Sequence, residues 1–284
     1  MKVRTRYEAP EETNIPGIIY LPSVPIVDTE VFEPCRLFDN LYFIGTRFIG
    51  TLVVTTREGL VLIDSMNCRR DVEEIIYPGL AKLGLDGEKI LAVIITHGHF
   101  DHFGGAAAIQ QRSGCQVVMS RRDGVFMQEP DNQVPEQFAR DGVEYPQVTS
   151  HVEDGTELVF GGTGFRFSFT PGHTPGGISL VLPVYDQGEK HMVSIWGGIN
   201  PPGDKSACRT YIDSAVHFQK FSREAGCDVE FSLHPFVDYS LEKMEKIRCR
   251  KKGAGHPLVI GPDGVSLFME IVKVNAKQKL DTLL

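Results

Sequence analysis

The sequence lacks the signatures of several common protein classes. Its six cysteines are scattered without a Cys-x-x-Cys pair, which argues against a zinc knuckle or a dithiol redox motif. No apolar stretch reaches the ~18 residues that a bilayer-spanning helix needs, so we expect no membrane partner. The net charge is −8 and no basic patch is evident, so we expect no nucleic-acid partner either.

The N-terminus also lacks the apolar core of a signal peptide, since no apolar run follows Met1–Glu8. This absence predicts a cytoplasmic protein with reduced thiols, or a periplasmic or secreted one if an export signal has been removed. The composition, 42% hydrophobic and 23% charged, is that of a folded globular chain. The sequence does not predict an oligomeric state.

The order of apolar segments predicts one domain that spans residues 1–284. Residues 1–36, rich in Pro, Glu and Thr, are interpreted as an N-terminal arm laid over the body. Residues 121–150 are polar and contain three prolines. They predict a long irregular insertion with one short helix, which would form a wall or lid of a pocket. The remaining strands and helices fit two half-sheets covered by helices.

Individual elements follow from hydrophobic periodicity. Alternating or apolar runs predict strands at Leu41–Gly45, Gly50–Thr55 and Gly59–Ser65. Apolar residues at helical spacing predict a helix over Arg70–Leu83, which ends at a glycine. Late in the chain, Val229–Leu233 predicts another strand.

The densest concentration of metal-binding side chains is His97-Gly98-His99-Phe100-Asp101-His102. This run follows the β-branched segment Ile90–Thr96, which predicts a strand, and it precedes Gly104–Gly105 and a predicted helix. Four metal-capable side chains on a tight loop at a strand end indicate a metal site. Imidazole and carboxylate ligands together favour Zn²⁺ or a similar ion.

Two further histidines stand at positions suited to ligands. His173 lies in Thr170–Gly177, a turn fixed by proline and glycine between two predicted strands, and rigid turns hold a metal ligand well. His234 lies in Glu230–Pro235, at the end of another predicted strand. Taken with the first run, both are predicted to be metal ligands.

These motifs resemble those of the metallo-β-lactamase superfamily. The pattern His-x-His-x-Asp-His is matched in full by His97, His99, Asp101 and His102, and the resemblance covers about residues 41–238. It implies an α/β fold, the αβ/βα four-layer sandwich, in which two mixed sheets are covered by helices. In that fold the metals lie at the rim where the two sheets meet.

The resemblance also implies two zinc ions per chain, each with three protein ligands. The first ligand group would be His97, His99 and His173. The second ligand group would be Asp101, His102 and His234. Because imidazoles must be neutral to bind zinc, binding should weaken in acid.

The sequence departs from many relatives after the strand that follows the third ligand. Many relatives, lactonases and glyoxalase-type hydrolases among them, carry a metal-bridging Asp where this chain has Gly198, and some β-lactamases carry a ligand cysteine where it has Ile199. The remaining Asp-His-His second site resembles the third subclass of metallo-β-lactamases. That subclass often binds the substrate carboxylate with serines near this strand, and Ile199-Asn200 offers no such pair.

The resemblance predicts a zinc-dependent hydrolase that uses a metal-bound hydroxide, with the amide bond of a β-lactam as the leading substrate. Asp101 would be the catalytic residue that binds the second metal and orients the hydroxide. Asp64 is a candidate to orient a ligand, and a purely structural cap is the alternative. Another lactone, thioester or amide is the second hypothesis. A non-hydrolytic metal-binding or redox module is the third.

The predicted partner is a small-molecule substrate, held by the 121–150 insertion, the loop after Trp196 and the segment after His234. Aromatic and polar side chains in these regions are candidate substrate-binding residues, with core packing as the alternative for each aromatic. They are Phe126, Tyr145, Trp196, Asn200 and Phe236.

Overall fold

The computed structural model describes residues 29–130 and 132–283, which form two mixed β-sheets with helices. The predicted fold class is therefore confirmed. The seven-stranded sheet is ordered β1 to β7 along the chain, and the five-stranded sheet is ordered β12-β11-β10-β9-β8.

The first sheet changes from antiparallel to parallel pairing at its centre. Strands β1 to β4 pair antiparallel, and β4 to β7 pair parallel. Its strands are β1 (Val31–Phe38), β2 (Leu41–Thr46), β3 (Gly50–Thr55), β4 (Leu60–Ile63), β5 (Ile90–Ile94), β6 (Gln116–Ser120) and β7 (Ser150–Val152). The central strand β5 consists entirely of apolar residues, as expected of a parallel strand covered on both faces.

The second sheet is antiparallel except at its edge, where β12 pairs parallel to β11. Its strands are β8 (Glu157–Phe160), β9 (Thr163–Phe169), β10 (Ile178–Asp186), β11 (Glu189–Ile195) and β12 (Val229–Glu230). The rings of Phe165 and Phe167 on β9 are fully buried in the core.

Helices pack on both sheets. Helices α2 and α4 contact strands of the first sheet, α7 contacts β9, and α9 packs on α7 and contacts β12. The helices are α1 (Arg69–Asp71), α2 (Tyr77–Lys82), α3 (Phe100–Phe103), α4 (Ala106–Ser113), α5 (Arg121–Phe126), α6 (Glu136–Arg140), α7 (Lys205–Glu224), α8 (Ser240–Arg248) and α9 (Gly261–Thr282). None of the helices in the described part of the chain combines the length and apolar character that a bilayer crossing requires.

The predicted helix over Arg70–Leu83 forms, but one part of it is not α-helical. Between α1 and α2 the chain makes a π-helical segment over Val72–Ile76. Buried side chains of this segment, Val72 and Ile76, join the core, so the wider turn keeps the apolar face directed at the sheet.

Three predicted boundaries differ from the structure. Strand β1 takes up residues 31–36 of the predicted N-terminal arm, because Phe32, Cys35 and the residues that follow pair with β2; residues 1–28 lie outside the described residues. The 121–150 segment contains two short helices, α5 and α6, instead of one. The predicted strand Val229–Leu233 ends at Glu230, because the Ser232 N–H bonds the Asp238 carboxylate.

Candidate metal centre

The predicted ligands converge because loops at several strand ends meet at one rim. His97, His99, His173 and His234 lie in loops after β5, β9 and β12, and Asp101 and His102 lie in the short helix α3 that directly follows the first of these loops. The structure places them in the same two sets that the resemblance implies, His97, His99 and His173 in one and Asp101, His102 and His234 in the other. Within each group, the candidate ligand atoms all lie within 4.8 Å of one another.

In the first ligand group, hydrogen bonds fix which imidazole nitrogen carries hydrogen. His173 Nδ1 donates to the Asn200 carbonyl at 2.7 Å, which leaves its Nε2 as a lone-pair donor 3.0 Å from His99 Nδ1. The Thr96 hydroxyl donates to Asp64, so it accepts from His97 Nδ1 at 3.1 Å. The lone pair of His97 Nε2 is therefore available inside the group.

The second ligand group is fixed in the same manner. His102 Nδ1 donates to Asp64 Oδ2 at 2.5 Å, and His234 Nδ1 donates to the Phe48 carbonyl at 2.8 Å. Their Nε2 atoms lie 3.3 Å apart and 3.7 and 3.6 Å from Asp101 Oδ2. Two imidazole lone pairs and one carboxylate oxygen are thus aimed at a common point.

Burial keeps most of these imidazoles neutral. It lowers the pKa of His173 to about 3 and that of His234 to about 4, with mutual repulsion between the histidines contributing. The pKa values of His97 and His99 are also lowered, mainly by burial. His102 is the exception, because the Asp101 and Asp64 carboxylates outweigh its burial and raise its pKa.

The donor set fits divalent metal ions. His97 Nε2 is buried and has no hydrogen-bond partner among the described residues, and burying an imidazole nitrogen without a partner is costly unless something binds it. Neutral imidazoles held by outward hydrogen bonds are the usual arrangement of metal-binding histidines. Asp101 adds a carboxylate, whose pKa is lowered because the neighbouring histidines, His102 above all, outweigh its burial.

Asp64 has both of the roles that the sequence analysis considered, orienting a histidine and capping a strand end. It lies fully buried at the end of β4 with a left-handed φ of 59°. Its Oδ1 accepts the Thr96 N–H, and its Oδ2 accepts both the Thr96 hydroxyl and His102 Nδ1. The same carboxylate therefore caps the end of β5 and orients a histidine of the second ligand group.

Sequence reasoning missed Asp123, which lies fully buried in α5. Its carboxylate accepts hydrogen bonds from Gly98, Thr174 and Gly176, in the loops that carry the first ligand group. Burial raises its pKa to about 6. The pattern Ser120-x-x-Asp123 does indicate a helix start, and Ser120 accepts from the Asp123 N–H, but that pattern gives no sign of contacts across the fold.

A cavity of about 510 Å³ opens over both ligand groups. Trp196, Asn200 and Phe236 line it, as do Asn132 and Gln133 of the 121–150 segment. Phe48, which the sequence did not single out, also lines it and stacks on Phe236 at 5.9 Å.

Two candidate substrate-binding residues lie outside that lining. Phe126 packs its ring 5.8 Å from the His99 ring and is not part of the cavity lining. Tyr145 stacks on Phe103 at 5.7 Å and is half exposed. Phe126 thus supports a ligand, and Tyr145 covers the outer side of the core.

The glycine at position 198 is explained by contact with a ligand. A Cβ atom at Gly198 would lie 2.5 Å from His173 Cβ and 2.8 Å from its Cγ. Tyr211 donates to the Gly198 carbonyl and accepts from Trp196 Nε1. The loop is therefore held against His173, and position 198 has no room for the bridging Asp of many relatives.

Comparison with known proteins agrees with this geometry. Residues 45–194 match the family model described as the metallo-beta-lactamase superfamily. The structure is similar to that of BJP-1, a subclass B3 metallo-beta-lactamase of Bradyrhizobium japonicum, with a TM-score of 0.75, 26% identity, and 89% and 95% of the two chains covered. Native FEZ-1 from Legionella gormanii shares the fold, with a TM-score of 0.74, 24% identity, and 89% and 97% coverage.

Curated relatives have other activities. Human persulfide dioxygenase ETHE1 (Homo sapiens) is 26% identical over 227 residues, which cover 79% of this chain and 74% of that protein. The hydroxyacylglutathione hydrolase of Idiomarina loihiensis is 30% identical over 124 residues, 41% of this chain and 40% of that protein. The matched family model spans more than half of the sequence and includes most of the ligands, so this chain belongs to the metallo-beta-lactamase superfamily.

Proposed function

We propose that this protein is a zinc-dependent hydrolase that breaks a strained or activated acyl bond (amide, ester or thioester), with the β-lactam amide as its leading substrate. The observation that carries the proposal is the pair of adjacent three-donor groups under one cavity. Bound there, two zinc ions would supply a nucleophile by lowering the pKa of a water molecule, and would polarise the carbonyl.

The chain's own residues would orient the attacking water and keep the imidazoles in place. Asp101, kept ionised by its histidine neighbours, offers an oxygen at the floor of the cavity that can hold and orient the attacking water. Asp64, Phe48 and Asn200 accept hydrogen bonds from ligand histidines, so the imidazoles stay fixed during turnover. Phe48 and Phe236 form an apolar wall for the part of the substrate that does not react.

The β-lactam assignment is supported by the likeness to subclass B3 enzymes over most of both chains. A lactone or thioester is the second candidate, and two observations favour it. One relative is named a hydroxyacylglutathione hydrolase. In addition, Ile199 and Asn200 line the cavity at the positions where a pair of serines would bind a β-lactam carboxylate.

A redox function is the third candidate, since another relative is named a persulfide dioxygenase. The second ligand group alone, two imidazoles and one carboxylate, has the composition of non-haem iron oxygenase sites. The three imidazoles of the first group beside it favour the dinuclear hydrolytic site instead.

The test is a panel assay on the protein reconstituted separately with zinc and with iron, with a chelator control. Hydrolysis of β-lactams, lactones and thioesters is followed by loss of the amide, ester or thioester bond, and turnover of a persulfide is followed by oxygen uptake. We expect chelator-sensitive hydrolysis with zinc, greatest for β-lactams. Turnover of lactones or thioesters alone would move the assignment to the second candidate. Oxygen uptake with iron and no hydrolysis would overturn the hydrolytic function.

A further inference from the structure

We propose that Asp123 is the positioning residue of the first ligand group and sets that group's affinity for its metal ion independently of the second group. This proposal rests on the dinuclear site proposed above. Asp123 is in α5, outside the ligand motifs, and its side chain is fully buried. It contacts no reacting atom, so its effect would act through the loops that it holds.

The Asp123 carboxylate joins the two loops that carry the first ligand group. Its Oδ2 accepts from the Gly98 N–H at 2.8 Å and from the Thr174 hydroxyl at 2.6 Å. Its Oδ1 accepts from the Gly176 N–H at 2.6 Å. Gly98 lies between His97 and His99, and Thr174 directly follows His173, so one side chain fixes the separation of the ligands.

Close packing supports these hydrogen bonds. A Cβ atom at Gly176 would lie 2.5 Å from both the Asp123 nitrogen and the Ser120 hydroxyl, so the His173 loop touches the start of α5. Ser120 in turn accepts from the Asp123 N–H at 3.1 Å. The helix start is thus a rigid base for the carboxylate.

Two further residues of the 121–150 segment, Asn132 and Phe126, also contact Gly98. Asn132 Nδ2 donates to the Gly98 carbonyl at 2.5 Å. A Cβ atom at Gly98 would lie 2.9 Å from the Phe126 ring, which also contacts the His99 ring. Asp123, Phe126 and Asn132 therefore hold the first ligand group, and Asn132 also lines the cavity.

The imidazoles of the second ligand group have hydrogen-bond partners other than Asp123. His102 donates to Asp64, and His234 donates to the Phe48 carbonyl. The three hydrogen bonds that the Asp123 carboxylate accepts come from residues beside ligands of the first group, from Gly98 between His97 and His99 and from Thr174 and Gly176 after His173. A change at Asp123 should consequently weaken one site and spare the other.

The experiment measures metal affinity in two backgrounds that each keep one group. His234→Ala leaves the first ligand group, and His99→Ala leaves the second. Metal-free protein is titrated with Zn²⁺ by calorimetry and with Co²⁺ by absorption, so that the readout does not depend on turnover. Adding Asp123→Asn should weaken binding about 10–100-fold in the His234→Ala background, the range seen when a ligand's hydrogen-bond partner is lost. It should leave the affinity in the His99→Ala background unchanged.

A second pair of variants keeps the proposal testable if Asp123→Asn does not fold. Thr174→Val removes one of the three donors and should weaken the first group only, whereas Thr174→Ser keeps the hydroxyl and should restore its affinity. The matched control is Asp228→Asn, since Asp228 accepts from Met192 N and His191, and none of these residues lines the cavity over the two groups. This control should lower thermal stability without changing either affinity.

Several results would overturn the proposal. Equal weakening in the two backgrounds would show a general structural role, and unchanged affinity in the His234→Ala background would remove the positioning role. Equal weakening by Thr174→Val and Thr174→Ser would do the same. A protein that binds metal as expected but hydrolyses nothing would contradict the proposed function while leaving the role of Asp123 intact.

Discussion

The first ligand group and the second ligand group contribute the same number of ligands but are held by different parts of the fold. The first lies between two loops that a carboxylate from α5 joins. The second depends on Asp64 at the end of a central strand and on the Phe48 carbonyl between β2 and β3. One group is thus supported by an added segment and the other by the sheet itself.

Their electrostatics differ as well. Burial lowers the pKa of all three imidazoles of the first group, so they are neutral and ready to bind a cation. The second group contains the ligand carboxylate, Asp101, and the histidine whose pKa is raised, His102. Charge on the protein is therefore concentrated in the second group, and this difference suggests distinct roles, with the first group polarising the carbonyl and the second orienting the water.

The largest effect on hydrolysis is expected when one ligand is removed from either group, and this experiment tests whether both groups take part in one reaction. His97→Ala removes a ligand from the first group and Asp101→Ala from the second, so each should abolish hydrolysis, down to the activity of the chelated protein. Each should also lower the zinc content from about two ions to about one. Rates and elemental analysis measure this, with circular dichroism to confirm folding. Full activity in either variant would mean that one group is dispensable and would end the dinuclear mechanism.

A smaller effect is expected from Asp64→Asn, which tests the separate support of the second group. The substitution keeps the shape but weakens the acceptor for His102 Nδ1, so Zn²⁺ affinity of the second group should fall about 10–100-fold. The titration uses the His99→Ala background, and the His234→Ala background is the control. Equal losses in both would show that the two groups share this support through Thr96, which bonds both Asp64 and His97.

Some of the residues that hold the two ligand groups could not be predicted from the sequence. The candidate ligands that lie together in the structure could be picked out because they stand in short runs at strand ends, where local spacing reflects local geometry. The fold class followed from the motifs and from the order of apolar segments. Asp123 and Phe48 were not identifiable, because each acts on residues far away in sequence, and no local pattern records such a contact.

The same limit explains the misplaced boundaries. The apolar run Val229–Leu233 has the composition of a longer strand, but the Asp238 carboxylate takes the Ser232 N–H and ends the ladder at Glu230. In the 121–150 segment, Ser120 caps α5 through the Asp123 N–H, and Pro135 directly precedes α6. Both outcomes depend on hydrogen bonds or turn geometry that hydrophobic periodicity does not detect.

The smallest effect is expected at Glu230, where a substitution should change the stability of the folded protein without changing the zinc affinity of the second group. Glu230 lies on β12, shortly before His234, and only one of its carboxylate oxygens has a hydrogen-bond partner, the Ser194 hydroxyl, among the described residues. Burial raises its pKa well above the usual value. The carboxylates of Asp64 and Asp123, in contrast, each accept several hydrogen bonds. The strand that leads to His234 therefore contains a carboxyl group that is costly to ionise.

The sign of the pH dependence follows from proton binding. Because the folded state holds the Glu230 proton more tightly than the unfolded chain, stability from this group is fully present below the unfolded pKa and is lost as pH rises from there through the folded pKa. Glu230→Gln should then be more stable than the parent by about 1–2 kcal/mol at about pH 9, and this advantage should disappear below about pH 4, where Glu230 is protonated in both states. Urea unfolding of the metal-free proteins measures this, with exposed Glu73→Gln as the control. A Glu230→Gln advantage that is independent of pH would mean that the residue acts through packing, and unchanged zinc affinity would confine its effect to the strand beneath the second group.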